Sequence, residues 1–175
     1  MADGTLKVGT ITTSSGSGTI TIGQSGETIN VSGTAGTGFG KILQATTTNK
    51  TNSFSTSSTS FVEVTGLNVS ITPSSTSNKI LIMSSFSLGQ FGGSTSAHIT
   101  LYRNSTNLGN ASNGMNEIYN SVSGNFSCGS GVVYLDSPSS TSSVTYTIYA
   151  RTGSGTAYVG NNSETSTITV MEVAG

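Results

Sequence analysis

Val144-Thr145-Tyr146-Thr147-Ile148-Tyr149-Ala150 alternates large apolar side chains (Val144, Tyr146, Ile148) with Thr145, Thr147 and Tyr149. A period of two is the pattern of a β-strand that turns one face to a core. Val, Ile and Thr lose side-chain freedom on a helix and pack well on a pleated surface. The same alternation recurs along the chain. Ile168 and Val170 mark it downstream. Upstream it appears as Ala97, Ile99 and Leu101, and as Ile80, Ile82, Phe86 and Leu88. No window carries a sustained helical period, and Gly, Asn and Ser separate the alternating stretches.

These stretches predict an all-β chain. Strands are expected at 41–47, 61–64, 67–71, 79–88, 97–103, 106–110, 117–122, 131–135, 144–150, 156–160 and 166–173. That many short strands between turn signals reads as a sandwich or barrel, so residues 41–175 are assigned to a β-sandwich. Leu81 and Met83, and likewise Met171 and Val173, place apolar side chains on the second face of their strands. A strand apolar on both faces needs a second cover, supplied by a neighbouring loop or another subunit.

Composition narrows the function classes. Ser and Thr make up 62 of 175 residues, and charged residues only 7%, against about 25% in an average soluble domain. Exposed Ser and Thr therefore do the solubilising that charge usually does. The net charge is −1, and the lack of a basic patch argues against electrostatic binding of nucleic acid or a membrane. The longest run of large apolar residues, Ile80 to Met83, is far below the ~20 needed to span a bilayer. The opening Met1-Ala2-Asp3-Gly4-Thr5 lacks the basic start and apolar stretch of a secretory leader. Cys128 is the only cysteine, which excludes an intrachain disulfide.

Residues 1–40 read differently. Leu6–Ile11, Thr19–Ile22 and Thr28–Val31 are three similar alternating pieces, followed by the Gly-rich hinge Gly33–Gly40. Their large apolar side chains are Leu6, Val8, Ile11, Ile20, Ile22, Ile29 and Val31. Burying these contributes about 10–20 kcal/mol, while ordering the segment costs about 40 or more. The segment is therefore either a disordered tail or packed against other chains, and its regular alternation favours packing. Three copies around an axis, each burying a narrow stripe, is the arrangement expected, with 1–40 as an attachment and oligomerisation segment.

Catalytic chemistry is poorly represented. His98 is the only histidine, and Asp3 and Asp136 are the only aspartates. A catalytic histidine needs an acid to orient it and a nucleophile to serve, and neither is suggested near His98, which is expected to be exposed or at an interface. The carboxylates are scattered rather than paired as a glycosidase requires. No loop concentrates the acidic oxygens of a calcium site. Asp136-Ser137-Pro138 reads as a turn, and Glu172 as a salt-bridge partner of Arg151 or Arg103. No catalytic residue, metal ligand or cofactor site is assigned. The residues suited to a saccharide are aromatic platforms (Tyr102, Tyr119, Tyr134, Tyr149, Tyr158) and the Asn-rich stretch 104–116. Of these, Tyr102, Asn104, Tyr119 and Tyr158 are the candidates for contact with a receptor or glycan.

Gly4–Ile11 followed by Gly18–Gly23 resembles the starts of fibre-like virion proteins of marine tailed bacteriophages, cyanophages among them. Phe61–Pro73 with Ser77–Ile82 resembles the entry to their C-terminal β-domain. So do Leu101-Tyr102-Arg103-Asn104, Leu135-Asp136-Ser137-Pro138, Val144-Thr145-Tyr146 and Ile168–Gly175. The resemblance implies a non-enzymatic structural component on the virion exterior, usually trimeric, with a jelly-roll-like head. It carries no catalytic or receptor-contact residues over to this chain. The function expected is a tail fibre or receptor-binding component for host attachment. Residues 1–40 would join other virion proteins, and a host surface glycan or protein would be the receptor. A head fibre or capsid decoration protein is the alternative within that class. A carbohydrate-binding adhesin module is the alternative outside it.

Overall fold

The computed structural model describes residues 42–122 and 124–175. The expectations for 1–40 lie outside the described residues. Twelve strands occur in the described residues: β1 Ile42–Lys50, β2 Phe54–Thr56, β3 Val62–Ile71, β4 Lys79–Phe91, β5 Thr95–Arg103, β6 Thr106–Asn107, β7 Asn116–Asn120, β8 Phe126–Ser130, β9 Val133–Asp136, β10 Val144–Thr152, β11 Thr156–Val159 and β12 Ser166–Val173. They build two antiparallel sheets, of seven and five strands, arranged as a β-sandwich, and no α-helix occurs among the described residues.

The long strand β4 organises the first sheet. Its first half pairs with β12 on one side and β9 on the other, and its second half with β11 and β8. β1 then pairs with β12, and β2 with β11. Four rows result, in the order β1/β2, β12/β11, β4, β9/β8. In the second sheet the rows run β3, β10, β5, then β6 and β7 together along the outer edge of β5. Within β3 the pairing jumps from Asn68↔Thr147 to Glu63↔Tyr149. Gly66 sits in that bulge at φ 82, a left-handed conformation that glycine adopts without strain. One strand therefore spans what the sequence divided at Thr65-Gly66.

The core is the one the alternation predicts. Ile80, Ile82, Phe86, Leu88, Ala97, Ile99, Leu101, Val144, Tyr146, Ile148, Ile168 and Val170 are all buried between the sheets. Three polar clusters close the core, and two of them correct the sequence reading. Asp136 does not cap a turn. It is buried on β9, accepts two bonds from Arg103 Nη1 at 2.9 Å and one from Tyr146 Oη at 2.6 Å, and so joins the first sheet to the second. Glu172 pairs with neither arginine. Its buried carboxylate accepts bonds from Gln44 Nε2, Asn78 Nδ2, and the backbone N–H and hydroxyl of Ser74. Burial raises its pKa, but these four donors outweigh burial and bring it down to about 2. At the other end of β4, buried Gln90 accepts from the Thr152 hydroxyl and donates to the Ser154 carbonyl.

Candidate functional site

Two surface features are not accounted for by folding alone. The first is the outer face of the second sheet. Register places Arg151 beside His98 and His98 beside Glu117, with Thr100 beside Tyr149 in the next row and Tyr102 beside Thr147 in the one after. Tyr102 and Tyr149, diagonal neighbours on that face, stack with centroids 3.9 Å apart at 24°. Burial, then the neighbouring Glu63 and Tyr102, push the Tyr149 phenol above its ordinary pKa.

The segment between β6 and β7 shapes the site. The strand expected at 106–110 stops at Asn107, because the Asn107 side chain turns back to accept the Thr100 hydroxyl and the Gly109 N–H. Leu108 and Met115 anchor the loop ends against the core. Between them Asn110 Oδ1 accepts the N–H groups of Ser112 and Asn113, a tight Asx-type turn. Gly114, at φ 70, passes so close to the Ile99 carbonyl that a Cβ would strike it. The loop tip is thereby held down on the sheet.

That tip buries His98, contrary to the exposed or interfacial position expected. The imidazole Nδ1–H donates to the Asn113 carbonyl at 3.3 Å. Burial, and next the Arg151 charge, lower its pKa against the opposing pull of Glu117 and Asn113. Arg151 donates through Nε and Nη2 to the Ser112 carbonyl, and its guanidinium lies 5.5 Å from the Phe61 ring centre. Beside it opens a cleft of about 440 Å³, lined by Thr59, Ser60, Phe61, Tyr102, Ser112 and Arg151. That volume lies within the range of small-ligand sites.

The second feature is the outer face of the first sheet. One row across it reads Ala45, Met171, Leu81, Leu135, and the next reads Thr47, Thr169, Met83, Val133. Val133 is 71% exposed, Leu135 50% and Met83 43%. A hollow of about 260 Å³ lies between Met83, Val133 and Met171. The two-faced apolar pattern read at Leu81, Met83 and Met171 is therefore real, and no loop among the described residues covers it. Ile42 and Leu43, also exposed, open β1 at the same sheet.

The four receptor candidates do not meet. Tyr102 lines the cleft. Asn104 holds a turn: its N–H donates to the Thr145 carbonyl and its Oδ1 accepts the Thr145 N–H. Tyr119 stands exposed on β7, at the edge of the second sheet. Tyr158 lies on the other sheet, packed on Phe91 at 4.4 Å. The sequence reading missed Arg151 and Phe61 as cleft residues. Their signal was only the apolar-to-basic end of an alternating strand, and nothing local announced a loop folding over it. Among the described residues no group of three His, Cys, Asp or Glu side chains is placed to hold a metal, and no helix is long and apolar enough to cross a membrane. No protein-family model matches this chain, and a search of curated proteins finds no match.

Proposed function

We propose that the protein is a non-enzymatic structural component of a phage virion, a homotrimer on the particle exterior that mediates host attachment as a tail fibre or receptor-binding component. The observation that carries this reading is the uncovered apolar face of the first sheet, on a chain whose surface is otherwise dominated by Ser, Thr and Asn. Exposed patches of this kind on a folded domain mark interaction sites. Its immediate neighbours Thr47, Ser85, Thr167 and Thr169 are uncharged, while Lys79, paired with Val173, brings a charge to its border. A nearly neutral face suits an identical copy, because two copies bring few like charges together. Exposed Ile42 and Leu43 of the same sheet follow in sequence on residues 1–40, the segment whose sequence has an apolar stripe and too few side chains to bury it alone.

A stable interface buries about 800 Å² per partner. The face exposes few large apolar side chains, Val133, Leu135 and Met83 foremost, so on this reading the trimer draws on the first forty residues as well.

The strand order supports a jelly-roll reading of the sandwich. Numbered by rows along the chain, the first sheet runs 1-8-3-6 and the second 2-7-4-5, the pattern of two interleaved four-strand Greek keys. That architecture suits a projecting virion domain, although a fold does not fix a function. A head fibre or capsid decoration protein would use the same apolar face against another virion protein. The cleft on the second sheet is what favours the adhesin-module reading. Labelling intact particles with an antibody to residues 41–175 tests the proposal. Label at the tail supports host attachment, label over the capsid favours decoration, and absence of label from purified particles overturns the virion reading.

A further inference from the structure

We propose that the cleft between the 108–115 loop and the Phe61 edge of the second sheet binds an acidic saccharide, with its carboxylate on Arg151 and its ring face against Tyr102. The inference rests on the attachment reading for its biological setting, and names the receptor class for it.

Three features carry the argument. The first is the state of Arg151. Among the described residues it has no carboxylate partner, since the one ion pair is Arg103–Asp136. Two of its nitrogens are committed to the Ser112 carbonyl and its plane is fixed near Phe61, which leaves Nη1 without a partner among the described residues. A guanidinium held in place before binding loses little freedom when a carboxylate arrives. Neither nearby carboxylate pairs with it: Glu63 accepts from Asn68 and Glu117 from the Ser96 hydroxyl, and the ion pair among the described residues is Arg103–Asp136.

The second feature is the platform. Tyr102 lines the cleft and is backed by Tyr149, so its ring cannot swing away. A fixed aromatic face offers an apolar surface to the C–H face of a sugar, with a phenol at its rim for hydrogen bonding. The third is the lining itself. Thr59 and Ser60 line the cleft with the arginine, and their hydroxyls suit sugar hydroxyls better than a hydrophobic ligand.

The test titrates the full-length protein calorimetrically with tetragalacturonate, 3′-sialyllactose and neutral maltotetraose. At least one acidic oligosaccharide is expected to bind, and maltotetraose at least about tenfold more weakly. Arg151→Gln should weaken the acidic ligand by about tenfold or more, as should Tyr102→Ala. Circular dichroism confirms that each variant keeps the wild-type fold, and Arg151→Lys provides a milder variant that retains the charge but not the fork. No binding of either acidic sugar overturns the proposal. So does binding that ignores Arg151→Gln or Tyr102→Ala, or equal binding of maltotetraose. A monomer that binds acidic sugar would defeat the fibre reading and leave this one standing; a trimer that binds none would do the reverse.

Discussion

Replacing Arg103 with Met should destabilise the sandwich by about 3 kcal/mol. The pair it breaks is the most enclosed charge interaction among the described residues, with the Asp136 side chain 6% exposed and that of Arg103 26%. Removing one partner of a buried pair typically costs 3–5 kcal/mol, because the other charge stays buried and uncompensated. Two facts place the figure at the low end. Water reaches part of the Arg103 site, and the Tyr146 hydroxyl still donates to Asp136 at 2.6 Å. Burial, reinforced by the bond to Asp136, raises the phenol's pKa well above its ordinary value, so it remains a donor throughout the working range. Against a total stability of about 5–15 kcal/mol this is a large loss. At about 2 kcal/mol per molar urea, the midpoint should fall by about 1.5 M. The chain has no Trp, so far-UV circular dichroism at one fixed protein concentration is the suitable probe. The double variant Arg103→Met with Asp136→Leu removes both charges and should recover at least half of the loss, leaving mainly the orphaned Tyr146 hydroxyl. A midpoint unchanged by Arg103→Met, or a double variant less stable than Arg103→Met alone, would refute the view that uncompensated charge sets the cost.

Two further outcomes follow from the same physics. The Glu172 pKa is lowered from 4.5 to about 2 in the folded chain, so its contribution is fully present above about pH 4.5 and is lost as pH falls through 2; Glu172→Gln should lower stability at pH 7 and flatten the acid limb of a pH–stability curve, and a variant with an unchanged acid limb would contradict this. A chain of residues 41–175 should keep the wild-type β-sheet dichroism yet run as a monomer, since its apolar face exposes few large apolar side chains; loss of the dichroism, or a stable oligomer without 1–40, would count against that division.

Much of the fold is legible where side-chain alternation is strong. Ser166–Val173 is a strand over its full predicted length, and every core position read from alternation is buried. Legibility fails where the signal is short or the determinant distant. Phe54–Thr56 and Phe126–Ser130 escape notice because Ser and Gly fill them without alternation, and only pairing with β11 and β4 makes them strands. Asp136 looks like a turn residue because Ser137-Pro138 follows it, while its real partner is 33 residues away in sequence. Glu172 needs four donors from three residues in two distant segments. Tyr102 is a fair guess from residue type, but Tyr158 shows the limit of that rule: an equally plausible ring lies on the opposite sheet. The apolar outer face was readable from Leu81, Met83 and Met171, while Val133 and Leu135 joined it only through the register of β9 with β4.

On the proposed function, the apolar face of the first sheet and the first forty residues together assemble identical chains. Light scattering on a sizing column, applied to the full-length protein and to a Val133→Glu, Leu135→Glu double variant, tests it most directly. The wild type should run at a mass near three times 17.7 kDa, and the variant should dissociate toward monomer, because each trimer would then bury six new carboxylates without partners. A wild type that runs as a clean monomer, or a variant that stays trimeric, would contradict it.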